Sequence, residues 1–108
     1  MPWNIIYFED VEKFLDKLSK EQLKSIAKEV RLLEFCGNDL KLPHSKSLGG
    51  GLFELRERRF GIRLYYGFSN DQIILILHGG AKKTQDKDIK KARVLIKNIE
   101  KTNESKKL

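Results

Sequence analysis

Two hydrophobic periods run along this chain, and the change from one to the other divides it. Trp3 to Phe8 is rich in aromatic and β-branched residues and predicts a first strand. Glu9 and Asp10 follow, acidic groups that suit the positive end of a helix dipole. Val11, Phe14, Leu15 and Leu18 then fall at i, i+3, i+4 and i+7, one face of a helix. Ser19 with Gln22 three residues on has the form of a capping box, so a second helix starts there. Its apolar stripe is Leu23, Ile26, Ala27, Val30 and Leu33, and Gly37-Asn38 supplies the stop. The two helices are expected to form a tightly joined antiparallel pair.

Residues 37–51, with Pro43 and Gly49-Gly50-Gly51, read as a loop. Beyond it the period drops to that of a strand. Phe53 and Leu55 alternate with Glu54, Arg56 and Arg58. Ile62, Leu64, Tyr66 and Phe68 alternate with Arg63 and Tyr65. Ser69-Asn70-Asp71 is a turn. Gln72 to His78 is apolar on both faces, the pattern of a central, covered strand, and Gly79-Gly80 is expected to end it. A last helix starts near Thr84 to Asp86 and buries Ile89, Ala92, Ile96 and Ile99. The order β-α-α-β-β-β-α predicts an α+β fold, an antiparallel meander with helices packed on one face. One domain is expected over 1–101, with a polar tail at 102–108.

Composition narrows the classes. The chain has 108 residues, enough to bury one core without staples. Hydrophobic residues make up 40%, which excludes a disordered chain. The formal net charge is +7, and it is not evenly spread. Residues 1–51 hold eight basic and eight acidic groups; residues 52–108 hold fourteen and seven. The whole excess belongs to the second half, which points to an anionic partner. The single Cys36 cannot form an intramolecular disulfide or a cysteine-based zinc site, and reads as a small buried residue late in a helix. The start lacks a basic segment followed by an apolar one, and the longest apolar run, Ile73 to Leu77, is too short to cross a bilayer. A cytoplasmic protein with no membrane partner is expected. No HExxH, paired-Asp or clustered-His motif is present, so no metal or other cofactor is expected.

Strand alternation makes a sharper claim. If the first two strands of the meander pair, Arg56, Arg58, Arg63 and Tyr65 share the face opposite the apolar set. The third strand ends in His78, Lys82-Lys83 leave from its mouth, and Lys46 lies in the loop leading in. Such a face fits a phosphate backbone, with Arg giving bidentate contacts and Tyr a stacking plane for an unpaired base. RNA brings its own nucleophile, the 2′-hydroxyl. Fixed positive charge stabilises the phosphorane, and a Lys, His or Tyr can serve as acid or base. A plainer reading stands beside this one. Arg56 and Arg58 on a half-buried sheet are simply solvated or paired with Glu54 and Glu57. His78 is then a strand-end histidine with an ordinary hydrogen bond. Lys82-Lys83 precede a helix, where positive charge opposes the dipole, and a residue placed against a local rule hints at use. The glycine triplet lacks a nucleotide-binding pattern and reads as a turn.

Several segments, taken in order, resemble a known family. Pro43…Lys46-Ser47-Leu48, Gly51-Leu52-Phe53-Glu54-Leu55-Arg56 and Gly61-Ile62-Arg63-Leu64-Tyr65-Tyr66 resemble the middle of RelE/ParE-superfamily toxins. Ile74 to Gly79, then Lys82-Lys83-Thr84-Gln85 and a helix containing Ala92, are similar to the phage-derived HigB-like branch. The resemblance implies the toxin of a type II toxin–antitoxin pair. It further implies a ribosome-dependent endoribonuclease acting on mRNA, held in a hetero-oligomer with a small helix-turn-helix antitoxin. By resemblance Arg63 contacts phosphate and stabilises the transition state. Arg56 is the basic residue of the neighbouring strand, and Lys82 and Lys83 form the cluster after the last strand. Lys46, His78 and Tyr65 are further candidates. Two positions depart from the branch: Gly80 stands where an aromatic is common, and Asp86-Lys87-Asp88 where a Pro often opens the helix. No residue is plainly the general base. The ParE branch inhibits gyrase, so a toxin that binds a protein target is the alternative, and an inactive RNA-binding relative is another.

Overall fold

The computed structural model describes residues 2–69 and 72–106, with side chains up to residue 99. The expected turn at Ser69-Asn70-Asp71 falls partly on residues 70 and 71, outside the described residues. Strand β1 (Asn4–Tyr7) leads into helices α1 (Glu9–Asp16) and α2 (Lys20–Cys36). Strands β2 (Ser45–Gly49), β3 (Leu52–Glu57), β4 (Ile62–Ser69) and β5 (Ile73–Ala81) follow, then helix α3 (Gln85–Lys106). The sheet order is β1-β5-β4-β3-β2, with β1 parallel to β5 and the other pairs antiparallel.

The predicted elements form for the predicted reasons. Ser19 caps α2: its Oγ accepts from the Gln22 amide at 3.2 Å, and Gln22 Oε1 accepts from the Ser19 amide at 2.9 Å. Gly37 is the C-cap of α2, and Cys36 is half-buried on its last turn. The meander register pairs Leu55 with Leu64 and Phe53 with Tyr66 on one face, and Glu54 with Tyr65 and Arg56 with Arg63 on the other. The glycine triplet is the β2–β3 turn, with φ of 85°, 62° and 82°, a left-handed backbone that side chains rarely adopt. α3 continues through Lys106 into the segment read as a tail, and residues 107 and 108 lie outside the described residues.

Three expectations need correction. The loop read over 37–51 contains β2. This edge strand has no apolar alternation, because only Ser45 is buried and Leu48 half-buried along it, so no hydrophobic period marks it. The helices do not share one face. α1 and α2 cover one side of the sheet, over Leu55, Leu64, Tyr66, Ile74 and Ile76. α3 covers the other, where Leu52, Tyr65 and Leu77 pack with Ala92 and Ile96. The two-faced apolar run of β5 therefore reports cover on both sides. Finally, Gly79-Gly80 does not end β5; the strand runs on to Ala81. Glycine stands there because both faces are crowded. A Cβ at Gly79 would press on Phe14 and Leu64, and one at Gly80 would overlap the Asp88 carboxylate. The same overlap explains why no aromatic residue follows the His78-Gly79 pair.

Among the described residues, no helix is long and apolar enough to cross a membrane.

Candidate functional site

The site is built on two rows of residues that the register lays across the α3 side of the sheet. One row is Lys46, Glu54, Tyr65 and His78, on β2, β3, β4 and β5. The next is Arg56, Arg63 and Gly80. Residues directly opposite in an antiparallel pair share a face and stand close, so Arg56 and Arg63 are neighbours by register alone.

What holds two guanidiniums side by side is Glu54. Its carboxylate is fully buried. Arg56 Nε lies 3.2 Å from Oε1, Arg63 Nε lies 3.6 Å from Oε2, and Gln85 Nε2 donates to Oε2 at 2.7 Å. The carboxylate offsets part of the repulsion between the two cations and sets where each stem leaves the sheet. Arg63 is 8% exposed and also donates to the Gly61 carbonyl at 3.2 Å; the Arg56 side chain is 32% exposed. Glu54 and Gln85 were not picked out as site residues from the sequence. The signal for Glu54 was there: alternation puts it on the same face as Arg56 and Tyr65.

Arg56, Arg58, Arg63 and Lys82 line one cleft of about 380 Å³ together with Leu42, Pro43, Glu57 and Gly61. Arg58 is exposed in the β3–β4 turn, beyond the end of the strand. The Lys82 amide donates to Gly61 O at 3.1 Å, which ties the turn after β5 to the β3–β4 turn and brings Lys82 to the cleft. Lys83 is exposed but does not line it; it borders a shallow hollow at the start of α3. Lys46 is exposed on the edge strand, opposite Glu54. Glu57 does not pair with the arginines. It is buried, and its carboxylate accepts from the amides of Arg59, Phe60 and Ile62 and from Ser25 Oγ.

Tyr65 and His78 lie in the layer behind the cleft. Tyr65 is wholly buried, so neither face of its ring is open to a base. Burial, then the charges of Glu54 and Asp88, raise its phenol well above the ordinary value, while Arg63 opposes them. That phenol stays protonated and cannot act as a base near neutrality. His78 is 8% exposed, and its Nε2 is 2.9 Å from Asp88 Oδ1. Among the described residues no group of three or more His, Cys, Asp or Glu side chains is placed to hold a metal.

The raised phenols carry a prediction about alkaline stability. Burial raises Tyr66 and Tyr7 as well as Tyr65. In the unfolded chain each titrates near its ordinary value of about 10. Above that pH the unfolded state gives up protons that the folded state keeps, so stability present below it is lost as pH rises. Tyr65→Phe should flatten this loss, seen as a shallower fall of the urea midpoint between about pH 9 and pH 11. At neutral pH the buried hydroxyl has no hydrogen-bond partner, so the same variant should change stability by less than about 1 kcal/mol.

Comparison with known proteins places this geometry. The phage-derived Gp49-like family (DUF891) matches residues 13–103. An uncharacterized protein of Haemophilus influenzae is 37% identical over 90 residues, 82% of this chain and 87% of that protein. The free E. coli RelE toxin, solved as an arginine double mutant, superposes with a TM-score of 0.64 at 14% identity, over 83% of this chain and 97% of that one. The archaeal RelE–RelB complex from Pyrococcus horikoshii gives a TM-score of 0.58 at 21% identity, over 76% and 97%. The sheet that aligns Arg56 with Arg63 is thus a known frame: the chain belongs to the Gp49-like family, and its fold is that of the RelE toxins.

Proposed function

We propose that this chain is the toxin of a type II toxin–antitoxin pair, and that it is a cytoplasmic endoribonuclease cutting mRNA on the ribosome. One observation carries the reading: four cations, Arg56, Arg58, Arg63 and Lys82, open into a single cleft, two of them anchored from behind by one buried carboxylate. Preorganised positive charge is what a developing phosphorane needs. The family match and the fold shared with RelE toxins support the same reading.

The substrate supplies its own nucleophile. The 2′-oxygen attacks the adjacent phosphorus, the P–O5′ bond breaks, and the 2′ proton ends on the 5′-oxygen. The products are a 2′,3′-cyclic phosphate and a 5′-hydroxyl, and no metal-bound water is needed. Arg63 and Arg56 hold the non-bridging oxygens through bidentate contacts. Lys82 and Arg58 neutralise the same phosphate from the rim. Lys46 and Lys83, exposed to either side, hold neighbouring phosphates. Tyr65 supports the arginines from below. The +7 charge draws the protein to ribosomal RNA, with strong salt dependence.

The antitoxin is a small helix-turn-helix protein that neutralises the cleft. RelE–RelB complexes among the structural neighbours support such a partner. Leu42, 62% exposed on the cleft wall, offers it an apolar contact beside the basic one. An acidic or amphipathic segment fits both.

Expression of the chain alone in growing cells tests this. Growth arrest is expected, with new mRNA ends on translating ribosomes mapped by primer extension. Arrest without new ends would overturn the nuclease and point to a protein target such as gyrase. No arrest would point to an inactive RNA-binding relative.

A further inference from the structure

A second cleft lies at the opposite side of β5. β1 stops at Tyr7, opposite Ile76, so the last residues of β5 have no strand neighbour on that side. α1 and the start of α3 flank the gap and leave a cleft of about 310 Å³ with His78 on its floor. That volume is at the small end for small-molecule sites. Lys13 of α1 and Lys17, the C-cap of that helix, line it on one side, and Lys87 and Lys91 of α3 also line it. Against these four cations stand Asp10 and Asp88, and Asp88 is already engaged: it accepts from Thr84 Oγ1 at 2.5 Å and holds His78 Nε2 at 2.9 Å. Lys13 also contacts Glu9 at 3.3 Å, an exposed pair that costs little to open.

The floor is what makes this a site and not only a basic hollow. His78 is more than nine-tenths buried, and its Nδ1 has no hydrogen-bond partner. A carboxylate only accepts, so Nε2 carries the proton towards Asp88 and the ring is held with Nδ1 turned away from it. Asp10 Oδ2 faces Nδ1 at 4.0 Å, beyond hydrogen-bond reach, on a side chain 59% exposed; Nδ1 itself is closed to solvent, so a ligand reaches it as Asp10 turns outwards. A buried, oriented and unpartnered ring nitrogen is costly unless something occupies the space before it.

We infer that the cleft between α1 and α3 binds a phosphate group, its oxygens held by the four lysines and one of them hydrogen-bonded to His78 Nδ1. The ring accepts from a P–OH or, as imidazolium, donates to a P–O⁻. The phosphate can belong to a free mononucleotide or to an RNA strand: the lysines hold either, whereas the P–OH that donates to the ring belongs to a monoester and a phosphodiester is met only by the imidazolium. The inference concerns binding and holds whether or not the arginine cleft cuts RNA.

The test is an NMR titration of the ¹⁵N-labelled full-length chain with inorganic phosphate, adenosine 5′-monophosphate and a short single-stranded RNA. Phosphate and the mononucleotide should move the His78 ring and the Gly79 and Lys87 amides. A Lys87→Ser/Lys91→Ser double variant, changed only at exposed positions, should lose roughly tenfold in affinity, as removal of two charges beside one phosphate implies. His78→Asn should lose binding too, and Arg63→Ala should keep the mononucleotide response. If the double variant weakens RNA as well, the strand is the source of the phosphate; if RNA binding is unchanged while the mononucleotide is lost, a free nucleotide is. Shifts confined to the arginine cleft, or equal affinity in the wild type and the lysine variant, would overturn the inference.

Discussion

Arg63→Ala is expected to slow mRNA cleavage roughly 100- to 1,000-fold, the usual cost of removing one preorganised transition-state contact. The expectation rests on three features. Arg63 is held by Glu54 and by the Gly61 carbonyl, so its guanidinium needs little reorganisation. It faces Arg56 across β3 and β4. It lines the cleft shared with Arg58 and Lys82. Arg63→Lys tests the shape of the group separately from its charge. A lysine keeps the charge but loses the planar fork, so only part of the activity should return. Primer extension on translating ribosomes reads both variants, and a thermal melt of each reports whether the fold survives. Cleavage by a folded Arg63→Ala protein at near wild-type rate would remove the arginine from the mechanism.

The largest effect on stability is expected at Glu57, whose carboxylate is taken up by the amides of its own turn. Its buried carboxylate accepts from the Arg59 amide at 2.5 Å, the Phe60 amide at 3.0 Å and the Ile62 amide at 3.4 Å, and from Ser25 Oγ of α2 at 3.0 Å. One side chain thus shapes the β3–β4 turn and joins it to a helix. Glu57→Ala leaves those donors without a partner and should cost about 3 kcal/mol, counting a buried unsatisfied group at about 1–3 kcal/mol. For a domain of this size that lowers the melting temperature by roughly 10–15 °C. Glu57→Gln keeps one acceptor and should lose less. The turn also sets the register that pairs Arg56 with Arg63, so activity should fall with stability in the alanine variant. A melting temperature within about 3 °C of the wild type would show that water replaces the carboxylate easily.

The contrast between these two residues shows what the sequence could convey. Arg56 and Arg63 were legible, because alternation fixes the face of each residue and a hairpin brings like faces together. The role of Glu57 was not. A carboxylate two residues from a turn looks the same whether it meets a solvent-exposed arginine or the turn's own amides. β2 was hidden because an edge strand with polar residues on both faces has no hydrophobic period. The position of α3 was hidden for another reason. Its stripe of Ile89, Ala92, Ile96 and Ile99 says that one side is buried, and not which face of the sheet it covers. Only that choice decides that Tyr65 and His78 sit beneath a helix and Arg63 at its margin. The alternation of β3 and β4 was read correctly, and the exposure of its residues was not.

The edge strand has one more consequence. β2 leaves a row of backbone donors and acceptors that another sheet could pair with. It is only five residues long, its register shifts between Ser47 and Gly49, and Lys46, its second residue, is exposed. At its far end Arg93 of α3 ties down the turn, donating to Leu48 O at 2.6 Å and to Gly49 O at 3.2 Å. Short, irregular, charged edges are how sheet proteins resist adding a foreign strand. The charge of Lys46 counts against such pairing, and a valine in its place would take that obstacle away from the edge of the sheet.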